Sequence, residues 1–227
     1  MRKSNQFLAI GSLLIILLGQ EAQHATWTAI TALSAHDIWV IGQANGVPQA
    51  LHWDGKNWTS TSMPTLSPGV VTLAGITAIA PDNAWIVGSS RSRKYPNDTY
   101  QPLMLHWDGT SWHEVAGATT PTGSTPQFGG ISAVSATDIW VVGNIVEATR
   151  VSQELIEHWD GKQWGMAIWP VFYGQLTDNS SVGLADISGT PGGQIIAVGS
   201  SVVFTQNPPI DDAARNPAQP FVLASCH

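Results

Sequence analysis

Three histidines occupy one position of a repeated pattern, and they are the first residues of this chain whose type and spacing could support chemistry. His52, His106 and His158 each stand directly before a Trp-Asp-Gly triplet. Three imidazoles on one ion would form a metal site, but all ligands must lie within about 2 Å of the ion. Equivalent positions of successive repeats belong to separate units and therefore lie far apart. A position that every repeat shares serves the packing of its own unit. We therefore predict that each histidine bonds its own turn and that the chain holds no metal or other cofactor.

The charged side chains form no catalytic set. A sialidase-type glycosidase needs clustered arginines, a tyrosine and paired carboxylates, whereas Glu154 and Glu157 pair convincingly with no arginine. No Ser-His-Asp order, phosphate-binding loop or zinc spacing occurs in the sequence. The arginines beyond residue 24 are Arg91, Arg93, Arg150 and Arg215. The sequence thus predicts a protein that is not an enzyme, and a sialidase-like glycoside-active enzyme is the alternative.

Two groups of side chains outside the repeated positions are candidates for ligand binding. A basic cluster in the second repeat could bind an anionic group, although such a run is often simply solvated. An aromatic cluster between the third and fourth repeats could form a binding surface, or it could fill a gap left by the decayed fourth repeat. The basic residues are Arg91, Arg93 and Lys94, and the aromatic residues are Trp169, Phe172 and Tyr173.

The segments that must position these residues are copies of one repeat. Complete copies begin at Ile30, Ile76 and Ile131, and a fourth copy that lacks the His-Trp-Asp-Gly segment begins at Leu184. The glycines that close the second segment of each copy lie 46, 55 and 56 residues apart, which is typical of propeller blades. These closing glycines are Gly42, Gly88, Gly143 and Gly199. The other repeated positions are Trp39, Trp85 and Trp140; Trp53, Trp107 and Trp159; Asp54, Asp108 and Asp160; Gly55, Gly109 and Gly161; and Trp58, Trp112 and Trp164.

Each complete copy is predicted to form four short strands. Segment 38–41 is apolar on both faces, as expected for a strand buried between two neighbours. Asp54-Gly55 favours the positive φ values of a tight hairpin turn. The predicted strands of the first copy cover 30–34, 37–42, 50–53 and a last segment that begins near Trp58.

The repeats predict an all-β protein, a β-propeller with three clear four-stranded blades and a degenerate fourth, and a partial or truncated propeller is the alternative. Tryptophans of the Trp39 type are expected between blades, and those of the Trp58 type over blade edges. Segment 24–29 could supply the strand that the fourth blade lacks and so close the ring. Otherwise an open edge would favour a homodimer. The predicted domain covers 25–227, with blades at about 27–62, 74–116, 129–168 and 182–227.

The repeated pattern resembles propeller repeats of secreted bacterial proteins of the kelch-like and Asp-box-like type, over about residues 27–200. It is also similar to the repeats of photosystem II assembly-factor propellers, which carry a Trp-Ala-Val-Gly strand and an Asp-Gly-Gly-x-Thr-Trp turn. The turn differs from the sialidase Asp-box, Ser-x-Asp-x-Gly-x-Thr-Trp, because Asp54 stands four residues before Trp58 rather than five. Since the Asp-box is itself a structural turn, the resemblance implies a propeller fold and no catalytic residue.

Charge and the amino terminus limit the partners and the location. The net charge of −7 would repel a phosphate backbone, which argues against nucleic acid as a partner. Met1-Arg2-Lys3 and the uncharged segment 7–19 are typical of a signal peptide or of an uncleaved membrane anchor, over residues 1–24. The chain is therefore predicted to be secreted or extracytoplasmic, with membrane contact only through this segment.

Loop lengths indicate where a ligand would bind. The turns after the first and third strands are nearly constant among the complete copies, whereas the loops after the second and fourth strands vary in length and content. In a four-stranded blade these two sets lie at opposite ends, and varied loops are free for recognition. We predict a non-catalytic binding or scaffolding module whose protein or carbohydrate partner occupies the variable-loop face. The alternatives are the sialidase-like enzyme and an incomplete propeller fragment without independent function.

Overall fold

The computed structural model describes residues 24–66, 69–92, 99–121, 124–146, 152–167, 180–190, 193–203 and 219–226. The regular elements in these ranges are all β-strands. No helix long and apolar enough to cross a membrane occurs within them. The predicted leader lies, apart from His24, outside the described residues, so it stays a prediction.

The strands form four antiparallel sheets, and within each sheet the strand order follows the chain. The first sheet consists of β1 (Ala25–Ser34), β2 (Asp37–Ala44), β3 (Val47–Trp53) and β4 (Trp58–Thr61). The second consists of β5 (Val70–Ala80), β6 (Asn83–Ser92), β7 (Thr99–Trp107) and β8 (Trp112–Glu114). The third consists of β9 (Thr125–Ser135), β10 (Asp138–Val146), β11 (Ser152–Trp159) and β12 (Trp164–Met166). The described part of the fourth consists of β13 (Ser180–Gly189), β14 (Gln194–Val203) and β15 (Gln219–Cys226).

The four sheets pack face to face as the blades of a β-propeller, which we number in chain order. Their innermost strands contact one another in succession, from β1 to β5, then β9, then β13. Together these four strands line a central channel of about 590 Å³. The predicted all-β propeller is therefore confirmed, and a partial propeller is consistent with this arrangement.

Each blade has two apolar faces, which we name by direction: the forward face meets the next blade in the chain, and the backward face meets the preceding one. Trp39 and Ile41 on the forward face of β2 belong to one buried cluster with Ala84 and Ile86 on the backward face of β6. Equivalent clusters join the second blade to the third and the third to the fourth. A strand with a neighbour on either side has no polar face, which explains the continuous apolar run at 38–41.

The closing glycine of each repeat lies beside a bulge in the innermost strand. In the first blade the register shifts from the pair Trp27 and Gly42 to the pair Ala29 and Ile41, so that one residue of β1 has no partner. A Cβ on Gly42 would overlap the carbonyl oxygen of Thr26. The closing glycines of the other blades meet the carbonyl of the equivalent residue, and they are Gly88, Gly143 and Gly199.

The first strand is longer than predicted, and this changes one topological expectation. β1 begins at Ala25, and residues 25–29 pair with β2 of their own blade. Just before it, the carbonyl of His24 accepts a 2.9 Å hydrogen bond from the N–H of Asn45. The prediction that segment 24–29 supplies the missing strand of the fourth blade is therefore wrong, because this segment already completes the innermost strand of the first.

The fourth repeat is also offset by three residues from its predicted register. Leu184 pairs with the closing glycine Gly199, as Trp27 pairs with Gly42 in the first blade. Ile187, rather than Leu184, is therefore equivalent to Ile30. The innermost strands extend several residues upstream of the segment that the repeats share. The position of the bulge in each strand, rather than sequence similarity, therefore shows which residues of the blades are equivalent.

Two turns differ from their predicted form. The loop predicted at 43–49 is a two-residue hairpin turn, since β2 ends at Ala44 and β3 begins at Val47. Asn45 and Gly46 have φ values of 51° and 78°, the two positive values of a type I′ turn. By contrast, the turn between β3 and β4 spans four residues and has a positive φ, of 92°, at Gly55.

Candidate functional site

The three repeated histidines form the same contact in each of three blades, on the side of the constant turns. The ring of His52 stacks on Trp39 with centroids 4.2 Å apart, and its Nε2 lies 3.0 Å from Asp37 Oδ1. The third blade repeats this arrangement, with His158 Nε2 at 2.9 Å from Asp138 Oδ1. Each ring thus bonds the residue that begins the second strand rather than the Asp-Gly turn that follows it, which corrects the predicted partner.

The second blade uses an amide at the same position. Asn83 Oδ1 lies 3.1 Å from His106 Nε2 and also accepts the indole N–H of Trp85 at 3.0 Å. Burial lowers the pKa of His106 below its ordinary value. The three histidines belong to separate blades, and among the described residues no group of three or more His, Cys, Asp or Glu side chains could hold a metal ion.

The Trp-Asp-Gly residues hold the turns of their own blade. Trp53 Nε1 donates to the carbonyl of Ala35, which ties the β3–β4 turn to the β1–β2 turn. Asp54 Oδ1 accepts the N–H groups of Asn57 and Lys56, each at 2.7 Å, and these bonds hold the pKa of Asp54 below its usual range. The other two blades repeat both features, through Trp107 and Asp108 and through Trp159 and Asp160.

Two features of the turn between β3 and β4 require glycine at its second position. Gly55, Gly109 and Gly161 have φ values of 92°, 94° and 91°, which side chains rarely adopt. A Cβ on Gly55 would also press against the ring of His36 in the β1–β2 turn. Several side chains at this end of the propeller therefore hold the turns of their own blade.

Tryptophans of adjacent blades contact one another, in most pairs edge to face. Trp39 lies 5.2 Å from Trp107 and 5.4 Å from Trp112, both in the second blade. Trp85 likewise meets Trp164 of the third blade edge to face at 5.5 Å, whereas its contact with Trp159 at 5.3 Å is tilted by 49°. Trp112 is 2% exposed within this boundary. Trp112 and Trp164 therefore lie between blades, whereas tryptophans of the Trp58 type were predicted to cover blade edges.

A groove opens at the opposite end, on the variable-loop face, between the first and second blades. Its volume is about 530 Å³. We call it the variable-loop groove. Its walls come from the start of β3, the end of β4 and the connection from β4 to β5, and they include Val47, Gln49, Ser60, Met63, Pro64 and Leu66.

The groove combines apolar surface with neutral polar groups. Val47 at its rim is 56% exposed, an unusual exposure for a branched aliphatic side chain. Ser60 Oγ donates to Gln49 Oε1 at 3.2 Å, and within the described residues the amide nitrogen of Gln49 donates no hydrogen bond. None of the described lining residues carries a charge. The described lining can therefore offer hydrogen bonds and aliphatic contacts, and it contains neither an acid nor a base.

The central channel is the second concave surface. Hydroxyl groups from successive inner strands face it, and two of them join blades: Thr77 Oγ1 accepts the N–H of Ala133, and Ser132 Oγ accepts the N–H of Gly189. Among the described lining residues one is acidic, Asp186, whose Oδ1 accepts the N–H of the next residue at 2.8 Å.

One buried acid was not predicted. Glu157 is 1% exposed at the boundary of the second and third blades, and its Oε2 accepts the N–H of Ala118 at 2.9 Å. Burial raises its pKa to about 7, although the bond from Ala118 lowers it. The signal in the sequence was a glutamate at the repeat position that holds Leu51 and Leu105 in the other complete copies.

Of the residues predicted to bind a ligand, the structure describes Arg91. It is exposed on β6 and pairs with Val70, next to Val71 in the wall of the variable-loop groove. Its position at the variable-loop end is therefore known, but a role in binding stays a prediction. The other five predicted residues lie outside the described residues, and they are Arg93, Lys94, Trp169, Phe172 and Tyr173.

Comparison with known proteins supports the fold and goes no further. No protein-family model matches the chain, and no curated protein matches its sequence. Among solved structures, the GH93 α-L-arabinofuranosidase of Fusarium graminearum in complex with arabinobiose is similar with a TM-score of 0.53 and 14% identity, over 88% of this chain and 61% of that chain. The six-bladed propeller lectin of Aleuria aurantia, described with a fucose recognition mode, has a TM-score of 0.46 and 15% identity, over 86% and 65%. The chain thus spans less than two thirds of either protein, and it is a β-propeller protein by fold.

Proposed function

We propose that this propeller is a non-catalytic binding module of the extracytoplasmic space, and that its variable-loop groove binds a neutral carbohydrate. The observation that carries the proposal is the lining, which places aliphatic and proline surface beside hydroxyl and amide groups without a charge among the described residues. A sugar ring presents the same mixture of C–H faces and hydroxyls, and a few polar groups in an apolar site fix its orientation. The extracytoplasmic location rests on the predicted leader.

The size of the groove favours a small ligand over a protein partner. Its volume of about 530 Å³ lies within the range of small-molecule sites. A stable protein interface instead buries roughly 800 Å² on each partner. A short oligosaccharide is therefore the ligand class that we expect here.

An enzymatic function has less support. Glycoside hydrolysis ordinarily uses two carboxyl groups roughly 5–10 Å apart. The described lining of the central channel contains one acid, Asp186, and that of the groove contains none. The similarity to an arabinofuranosidase concerns the fold alone, and proteins of one fold can have unrelated activities.

Calorimetric titration of the full chain with a panel of neutral oligosaccharides tests the proposal. We expect at least one to bind, and Gln49→Ala to weaken its affinity about five- to tenfold, since one hydrogen bond contributes about 1 kcal/mol. Gln163→Ala, an exposed glutamine in a constant turn, is the matched control and should bind as the wild type does. Absence of binding to every member of the panel, or equal affinity of the Gln49→Ala variant, contradicts the proposal. Hydrolysis that Asp186→Asn abolishes would instead favour the enzyme.

A further inference from the structure

Among the described residues, no element covers the forward face of the fourth blade. In the first three blades the residue before the closing glycine is fully buried on this face. The equivalent Val198 on β14 is 42% exposed, and Ile196 on the same face is 37% exposed. Val222, which pairs with Val198 across β14 and β15, is 66% exposed. The buried equivalents of Val198 are Ile41, Val87 and Val142.

Within the described part of the chain, the backward face of the first blade is open around Ile30 on its innermost strand. Ile30 is 65% exposed, whereas its equivalents, which pack on the preceding blade, are between 6% and 7% exposed. The rest of the same face is covered by tryptophans of the first blade itself, Trp27, Trp53 and Trp58. The open patch is therefore centred on Ile30. Its buried equivalents are Ile76, Ile131 and Ile187.

These two open faces match the two halves of an interface that the chain already forms three times between its own blades. In the boundary between the first and second blades, Ile41 of the forward face and Ile76 of the backward face belong to one buried cluster. Val198 and Ile30 are the equivalents of these two residues. A second copy of the chain presents the required backward face to the fourth blade, and the required forward face to the first.

We propose that two copies of this chain associate head to tail, with the forward face of the fourth blade in each copy packed on the backward face of the first blade in the other. Such a contact joins two different surfaces, and it forms a closed assembly when it is reciprocated. Two sets of four blades would give eight, which is within the range of known propellers. This interface uses blade faces, in contrast to the edge-to-edge pairing expected from an open strand.

Light scattering of the full chain over a range of concentrations measures the association. We expect the mass to rise from the monomer value of 24.2 kDa to twice that value. Val198→Lys alters the forward face and Ile30→Glu alters the backward face, and each variant alone should remain a monomer because a charge would be buried without a partner. Met166→Lys, at a residue that is 44% exposed on the short strand β12, is the control and should still dimerise. Thermal unfolding of each variant checks that the fold is intact.

Mixing the two variants provides the decisive result. The mixture keeps one unaltered interface and places lysine opposite glutamate in the other, so we expect the doubled mass to return. Monomers of the wild type at all concentrations overturn the proposal. Dimers of either single variant, or a mixture that stays monomeric although both variants fold, overturn it as well.

Discussion

The indole N–H of Trp112 donates a 2.9 Å hydrogen bond to the hydroxyl of Thr61 in the preceding blade. Because Trp112 is 2% exposed, loss of this acceptor would leave a buried donor unpaired. We expect Thr61→Val to lower the free energy of unfolding by about 1–3 kcal/mol, as measured by urea denaturation. Thr59→Val, at an exposed position of the same strand, should change it by less than about 0.5 kcal/mol. Equal losses in the two variants would contradict a specific role for the Trp112 bond.

The next blade boundary lacks this bond, which allows the opposite test. Trp164 is equivalent to Trp112, but the residue at the position of Thr61 is Val115, and the Trp164 N–H is buried without an acceptor among the described residues. Val115→Thr supplies the hydroxyl and should raise the free energy of unfolding by about 1 kcal/mol. Trp164→Phe in the Val115→Thr background should remove the gain. If the threonine stabilises the protein equally in the presence of phenylalanine, the gain does not come from this bond.

Glu157 should make stability depend on pH. Because burial raises its pKa from 4.5 to about 7, the folded protein keeps the proton to a higher pH than the unfolded chain does. Ionisation of Glu157 therefore lowers the free energy of unfolding as pH rises from about 4.5 to 7, and this loss stays constant above pH 7. The loss should be on the order of 3 kcal/mol.

Glu157→Gln isolates this effect, because glutamine can accept the Ala118 N–H and does not titrate. Urea denaturation at pH 5 and pH 8 gives the difference between variant and wild type at each pH. We expect the variant to gain stability relative to the wild type as pH rises. A difference that is the same at both values would mean that Glu157 ionises at an ordinary pKa.

The first residue of the second strand should tolerate exchange between acid and amide. Asp138 Oδ1 accepts the Trp140 indole N–H at 2.6 Å and lies 2.9 Å from His158 Nε2, and Asn83 fills the same role in the second blade. Asp138→Asn should therefore change the free energy of unfolding by less than about 0.5 kcal/mol. Asp138→Ala should lower it by about 1–3 kcal/mol, because two groups lose their partner. An equal loss in both variants would show that the charge, rather than the acceptor oxygen, matters.

The closing glycines should be among the least replaceable residues. A Cβ on Gly143 would overlap the carbonyl of Gln127 and the backbone of Phe128. Since backbone cannot yield as a flexible side chain does, Gly143→Ala should cost about 3 kcal/mol or prevent folding. Gly165→Ala is the control, because nothing lies within 4 Å of its added Cβ. Similar thermal stabilities of the two variants would show that the bulge adapts to the larger residue.

The sequence predicts the scaffold well where the repeat carries the information. The spacing of the closing glycines and the pattern around Trp39 indicated stacked four-stranded blades, since each repeat must bury the same faces. The Asn45-Gly46 dipeptide was itself a strong hairpin signal. A longer loop was nevertheless predicted there, because the other complete repeats have longer loops at the same position.

The candidate site could not be predicted in the same way. The variable-loop groove forms where the end of one blade meets the start of the next, so its walls combine residues that are distant in the repeat, such as Gln49 and Leu66. Loop variation indicated the end of the propeller at which this groove lies, but not the cavity itself. Burial of Glu157 likewise depends on the segment around Ala118, whose path is set by packing between blades.

The most direct test of binding in the variable-loop groove is NMR mapping of backbone amide shifts during titration of the full chain with the oligosaccharide that binds best. We expect the largest shifts at Gln49, Ser60 and Ser62, and none at the constant turn around Asp54. Shifts that instead cluster around Asp186 would place the ligand in the central channel and contradict binding in the variable-loop groove.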